Sequence, residues 1–280
     1  FISNYFESSS IPVLLTVIFT FFLIILLAGI PLVALADNAD SLADLHWRAG
    51  QKSLAAGDPV NALRSFRQSL SINPDSAKTH LSMAAACLAQ GNDSIAAIHL
   101  KISLELEPSN VIVRQNYADL LLRMNQLEEA RDQFNLFIKD TQQFGEQANR
   151  HMIHAHSRLM AISEQLGDVY EEHLNRGIGL YLLALEKTKK DQQEVPNDQN
   201  LEALLFRAAG ELTQARLTRN DQIRPCWYLY LVWNKLACSQ PAQRWYRITA
   251  QDASLEYLTP KEFQDFHLVR KFAESDHIRK

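Results

Sequence analysis

Cysteine is scarce in this 280-residue sequence: Cys87, Cys226 and Cys238 are the three present, and no two form a Cys-x-x-Cys pair. That excludes zinc ribbons, thioredoxin-type redox sites and c-type haem attachment. Glycine and proline are sparse, nine of each, which excludes collagen-like and linker-rich architecture. The sequence has no phosphate-cradling P-loop, no dinucleotide fingerprint and no Gly-x-Ser-x-Gly elbow. A large excess of one charge is also missing. With a net charge of −4 and a pI near 6.2, the chain has no electrostatic footprint for nucleic acid. No segment shows sustained strand alternation, so the expected class is all-α.

The sharpest local absence is charge near the start. From Ser8 to Ala36 there is no charged residue, and Glu7 is the only one before Asp37. A hydrocarbon core of about 30 Å needs roughly 20 apolar residues in a helix. Ile11 to Ala36 supplies such a run. Ser10 can cap its start, Pro12 is tolerated in the first turn, and Gly29 and Pro31 loosen the far end. Two readings of this segment stand. One is a cleaved signal peptide, because Ala34-Leu35-Ala36 is a small-x-small site just before Asp37. The other is a retained transmembrane helix over about 11–36, favoured because the run exceeds a signal peptide's usual apolar core. In the second reading the chain is a single-pass membrane protein, with residues 1–36 as its N-terminal segment. Thr16, Thr20 and Gly29 would then be close-contact points for a partner helix in the bilayer. The flank carries Asp37, Asp40 and Asp44 before its first basic residue, Arg48, which favours an extracytoplasmic (periplasmic) body.

Shifting the body by 34 residues aligns several columns: Gly50/Ala84/Ala118, Gly57/Gly91/Asn125, Ala62/Ala96/Ala130, Phe66/Leu100/Phe134, Leu70/Leu104/Ile138 and Pro74/Pro108. With Ala62-x-x-x-Phe66, Ala96-x-x-x-Leu100 and Ala130-x-x-x-Phe134, these columns resemble the tetratricopeptide repeat (TPR) family. The resemblance implies pairs of helices. Small residues stand where the two helices meet, a left-handed residue ends the first, and proline closes the second. The likeness departs at His46, His80 and Arg114, which occupy a position where the family often has Trp.

Three repeats are expected within 37–142, at about 43–75, 77–109 and 111–142. A stretched fourth helix pair fills 143–190, with Gly177, Tyr181 and Ala184 as a late echo of the signature. Residues 191–280 form a C-terminal helical region with a degenerate repeat and a capping helix. Lys187 to Asn200 reads as the longest loop. The expected architecture is thus a transmembrane helix followed by an α-solenoid of TPR-like pairs.

Few side chains stand in a pattern that suggests chemistry. Cys226 and Cys238 fall twelve residues apart in one predicted helix, about 18 Å, too far to bridge. His151 and His154 share a helix face, and with His156 they read as solvated or capping residues, since a metal site needs a third ligand from another helix. Glu128-Glu129 and Glu171-Glu172 read as solvated faces. No catalytic residue, metal ligand or cofactor is expected, and the chain is not read as an enzyme. Trp227, Tyr228, Tyr230 and Trp233 read as core between the last helices or as an aromatic contact patch.

The resemblance implies that the first helices line a groove that binds a polypeptide. Its residues here are Asp44, Trp47 and Gln51, then Lys78, Leu81, Ser82 and Ala85, then Ile112, Gln115, Asn116 and Asp119. Family members that clamp a C-terminal carboxylate use Lys, Asn and Arg; the matching places hold Trp47, Gln51, Ser82, Ile112 and Asn116, so no such clamp is expected. Trp47 is the leading hot-spot candidate, weighed against packing at the end of the anchor. The functional expectation is a membrane-anchored scaffold or accessory subunit of a membrane complex. Its partners would be integral membrane proteins and the lipid bilayer, not nucleic acid. The alternative is an extracytoplasmic assembly factor that acts transiently in cytochrome or membrane-complex maturation.

Overall fold

The computed structural model describes residues 40–142, 148–191, 198–251, 255 and 258–278. The expected transmembrane segment, with Thr16, Thr20 and Gly29, lies outside the described residues. Among the described residues no helix is long and apolar enough to cross a membrane, and none adopts a strand.

Two compact units divide between Leu106 and Glu107. The first holds α1 (40–55), α2 (Pro59–Ile72), α3 (Ala77–Ala89) and α4 (Asp93–Leu106). The second holds α5 (Val111–Arg123), α6 (Leu127–Thr141), α7 (Asn149–Leu166), α8 (Val169–Asp191), α9 (Asp198–Thr218), α10 (Arg224–Lys235), α11 (Ser239–Gln251) and α12 (Pro260–Ile278). Residues 187–200 are therefore mostly not loop: α8 runs on to Asp191 and α9 begins at Asp198.

One turn is built five times. Gly57, Gly91, Asn125, Gly167 and Ala237 each take a left-handed φ of 78°, 75°, 59°, 72° and 56°. The next residue's N–H reaches back over the turn. Asp58 donates to Ser53 O, Asn92 to Cys87 O, Gln126 to Leu121 O and Asp168 to Ser163 O, each at 2.9 Å, and Cys238 donates to Trp233 O at 3.0 Å. This is the Schellman closure, which satisfies carbonyls that a helix end leaves bare. Its recurrence shows that α7–α8 and α10–α11 are helix pairs of the same kind as α1–α2, α3–α4 and α5–α6, so the fold is TPR-like. Cys226 and Cys238 consequently do not share a helix: α10 ends at Lys235, Ala237 makes the turn and Cys238 leads into α11.

The packing columns explain the small residues. Ala62, Ala96 and Ala130 are completely buried, as are Phe66 and Phe134. A Cβ on Gly50 would lie 2.6 Å from Cδ1 and 2.9 Å from Cζ of Phe66, so the ring of α2 occupies the space that Gly50 leaves on α1. Buried Ser69 donates to Ala43 O (2.8 Å), and Ser103 makes the same bond to Ala77 O (3.0 Å) one repeat later.

Counting from the turn residue corrects the register of the fourth pair. Glu172 and Arg176 stand where the other repeats have Ala and an aromatic or Leu, and Met160 stands where the first three have Gly or Ala. An ion pair from Arg176 to Glu172 (2.6 Å) and a contact from Arg176 Nε to Met160 Sδ (3.3 Å) take over from apolar packing. Gly177 is not an echo of the signature. It lets α9 approach α8, since a Cβ there would lie 2.6 Å from Leu212 Cγ. Nor is Glu171-Glu172 a free solvated face: both are half-buried, and Glu171 accepts from Asn175 Nδ2 at 3.1 Å.

The second unit closes on α10. Trp227 and Tyr228 are 1% and 4% exposed, so they are core and not a contact patch; Tyr230 and Trp233 are half-buried against the same cluster. The reason is that a helix apolar on nearly every side must be wrapped. Trp227 stacks on Tyr230 at 5.2 Å and meets Phe266 of α12 edge-on at 5.7 Å. Thr259-Pro260-Lys261-Glu262 is a capping box: Thr259 N donates to Glu262 Oε2 (2.9 Å) and Glu262 N to Thr259 Oγ1 (3.3 Å). The same buried carboxylate takes Arg224 Nη2 at 2.9 Å and Tyr228 O–H at 2.8 Å. Burial opposes charge on both partners, but their mutual attraction prevails: Glu262 is held below the usual carboxylate range and Arg224 above the usual guanidinium value.

Candidate partner-binding faces

In the first unit the expected groove residues of α1 and α3 are tied into one network. Asp44 accepts from Lys78 Nζ at 2.6 Å and from Arg48 at 2.8 Å. The Lys78 ammonium lies 4.5 Å from the centre of the Trp47 ring. Trp47 Nε1 and Gln51 Nε2 both donate to Ser82 Oγ at 2.9 Å, and Ser82 donates on to Lys78 O at 2.8 Å. Ser82 is buried, Asp44, Trp47, Gln51 and Leu81 are half-buried, and Lys78 and Ala85 are exposed. Lys78 bonding holds the Asp44 carboxyl below its usual range, against a smaller opposing effect of desolvation. The indole of Trp47 is thus pinned flat, its N–H on a buried hydroxyl and its ring beside a cation.

In the second unit α5 meets α7 the same way. Gln115 Oε1 accepts from His151 Nδ1 at 3.2 Å, and Gln115 Nε2 donates to His154 Nδ1 at 3.2 Å. Asp119 pairs with Arg158 Nε at 3.1 Å and lies 3.7 Å from His154 Nε2. Ile112, 65% exposed, and Asn116, also exposed, are left to solvent on α5. The described residues contain no group of three or more His, Cys, Asp or Glu able to hold a metal ion. His151 and His154 instead grip the two ends of one amide. They join the candidate row together with Arg158, which the 34-residue period did not place there. Counting back from Gly167 finds His154 and Arg158; His151 lies one turn further out.

In the unusual column His46/His80/Arg114, His80 and Arg114 have a structural job. Each residue stands eleven ahead of its turn residue, and His156 holds that place in the fourth pair. His80 Nε2 bonds Pro74 O at 3.1 Å, and Arg114 Nη2 bonds Pro108 O at 2.5 Å. These side chains cap the carbonyl of the proline that closed the previous repeat. Each also reaches nineteen residues on, into the second helix: His80 Nδ1 to His99 Nδ1 (3.0 Å), Arg114 to Gln133 Oε1 (3.1 Å) and His156 Nδ1 to Asn175 Oδ1 (2.8 Å). His80 Nε2 donates to the Pro74 carbonyl, and its Nδ1 shares one proton with His99 Nδ1. Burial, then His80 and Arg67, push the His99 pKa down.

His156 is not solvated. It is completely buried, and its Nε2 has no hydrogen-bond partner. Its turn lies 42 residues after that of the third repeat rather than 34, and α7 starts seven residues ahead of His156, whereas α5 starts three ahead of Arg114. No closing-proline carbonyl waits six residues back, because residue 150 is inside the helix.

No protein-family model matches the chain. It is similar to DnaJ homolog subfamily C member 3 of Bos taurus, 32% identical over 102 residues, covering 36% of this chain and 20% of that one. The Homo sapiens protein of that name is 29% identical over 149 residues, covering 53% and 28% respectively. The matched stretch thus spans less than a third of these relatives' length. Among solved structures, the Pseudomonas aeruginosa pilF structure shares 18% identity at a TM-score of 0.42, covering 82% of this chain and 99% of that one. PilW, described as a widely conserved type IV pilus biogenesis factor, shares 16% at 0.40, covering 80% and 97%. Likenesses of that size carry no argument about function.

Proposed function

We propose that this chain is a non-catalytic protein-interaction module whose first-helix faces bind a polypeptide partner. We further propose that residues 11–36 anchor it in a membrane, with the body extracytoplasmic, as a scaffold or accessory subunit of a membrane complex. The supporting observation is the repeated row on α1/α3 and on α5/α7. In each unit a polar network holds neighbouring first helices in register and leaves side chains such as Ala85, Ile112 and Asn116 presented to solvent. Such a pre-organised row limits the ordering cost of binding. An anchor would add effective concentration near a membrane partner.

Photo-crosslinking residues placed at Ala85 and Asn116, with Gln214 on α9 as control, test the reading in detergent-purified full chain. Crosslinks to a protein from the first two sites and not from Gln214 are expected, and the partner should be integral to the membrane. Crosslinks from Gln214 alone would refute the assignment of the faces. A partner present in fixed ratio marks a permanent subunit, whereas loss from the mature complex marks the assembly factor.

A further inference from the structure

We propose a second site in the C-terminal unit: a pocket for one large apolar residue of a partner polypeptide, held through its peptide group by Gln142 and Asn149. A cavity of about 360 Å³ opens between the end of α6, α7, α8, α10 and α12. Its walls include Leu182, Leu185, Leu231 and Val269. Gln142 and Asn149 also line it, and they are only 6% and 5% exposed. Gln142 Oε1 and Asn149 Nδ2 have no hydrogen-bond partner. Folded proteins leave few buried polar groups in that condition, and two bordering one cavity point to what the cavity takes.

The orphaned pair is one acceptor and one donor, which matches the N–H and C=O of a peptide group. The remaining lining selects against charge. Glu262 is neutralised by Arg224, and Lys261 and Asp265 are paired with each other at 2.6 Å. The cavity is at the small end of the roughly 300–1,000 Å³ typical of ligand sites, so it fits a side chain with its flanking amide and not a helix. The site involves none of the first-helix residues invoked above, so it stands or falls separately from them.

The test is saturation-transfer NMR on the full chain with N-acetyl-L-leucinamide as probe and free leucine, which lacks the neutral amides, as comparator. Transfer to the methyls of the probe and little to those of leucine is expected. The Q142L/N149L double variant should weaken binding about tenfold or more. Leu231→Trp, made on a half-buried wall, should abolish it. Absence of transfer from the folded wild type would overturn the proposal. So would unchanged binding in the double variant while Leu231→Trp loses it, because the amides would then be serving water alone. Circular dichroism of each variant separates a lost site from a lost fold; should the double variant not fold, Leu231→Trp and the leucine comparison still decide.

Discussion

Acidification should weaken the C-terminal unit through one side chain, His156. Burial, reinforced by the nearby Arg224 charge, pulls its pKa down from 6.5 to about 4, while Asn175 and Glu262 only partly offset this. A base whose folded pKa lies below its unfolded value takes up its proton on unfolding. The stability tied to it is therefore complete above about pH 6.5 and is lost as pH falls towards 4. Between pH 7 and pH 5 linkage gives a loss of about 2 kcal/mol, and about 3 kcal/mol by the foot of the window. Urea melts at the two pH values measure it. A Trp47→Phe background leaves Trp227, Trp233 and Trp245, all in the second unit, as fluorescence reporters. His156→Gln keeps a donor for Asn175 and cannot titrate, so it should remove most of the difference. A wild type whose pH 5 to pH 7 difference equals that of His156→Gln would refute the reasoning.

Glu262→Gln leaves Arg224 buried without its counter-charge and weakens the α12 cap, so a loss of about 3–5 kcal/mol is expected in chemical denaturation. Ala237→Gly relieves a left-handed alanine at φ 56° and should raise stability by about 0.5–1 kcal/mol, read as a shift of the urea midpoint without a change in slope. Gly50→Ala drives a methyl into the Phe66 ring and should cost about 1–3 kcal/mol in thermal unfolding, with Gly50→Ala/Phe66→Leu recovering part of it. Ser82→Ala removes the shared acceptor of Trp47 and Gln51; photo-crosslinking yield at Ala85 should fall while circular dichroism holds.

Sequence columns carried the architecture far because each small residue had one reason to be small. Gly50, Ala62 and Gly57 report a ring, a helix contact and a left-handed turn, and all three show in a shift of 34 residues. The fourth pair was expected but its register escaped for a physical cause: its eight-residue extension broke the period, and Glu172 with Arg176 replaced apolar packing by an ion pair. Ala237 hid a turn because alanine does not advertise a positive φ. The capping box at Thr259–Glu262 was visible in the letters, but its second role depends on Arg224, 38 residues away. On the candidate faces, the α1/α3 residues proved bonded to one another, whereas His154 and Arg158 needed the corrected register to join the row. The aromatic patch failed on Trp227 and Tyr228 because composition does not say which neighbours wrap a helix.

The extra turns of α7 tie two otherwise separate properties to one change in chain length. α7 has 18 residues against 13 in α5, which lengthens the helix by about 7.5 Å. That length carries Asn149 and Met152 into the wall of the C-terminal cavity, and it leaves the His156 ring without the proline carbonyl that His80 and Arg114 cap. A relative with a 34-residue fourth spacing would be expected to have neither the pocket nor the acid-sensitive histidine. One insertion would then separate chains that respond to acid and take a buried residue from chains that do neither.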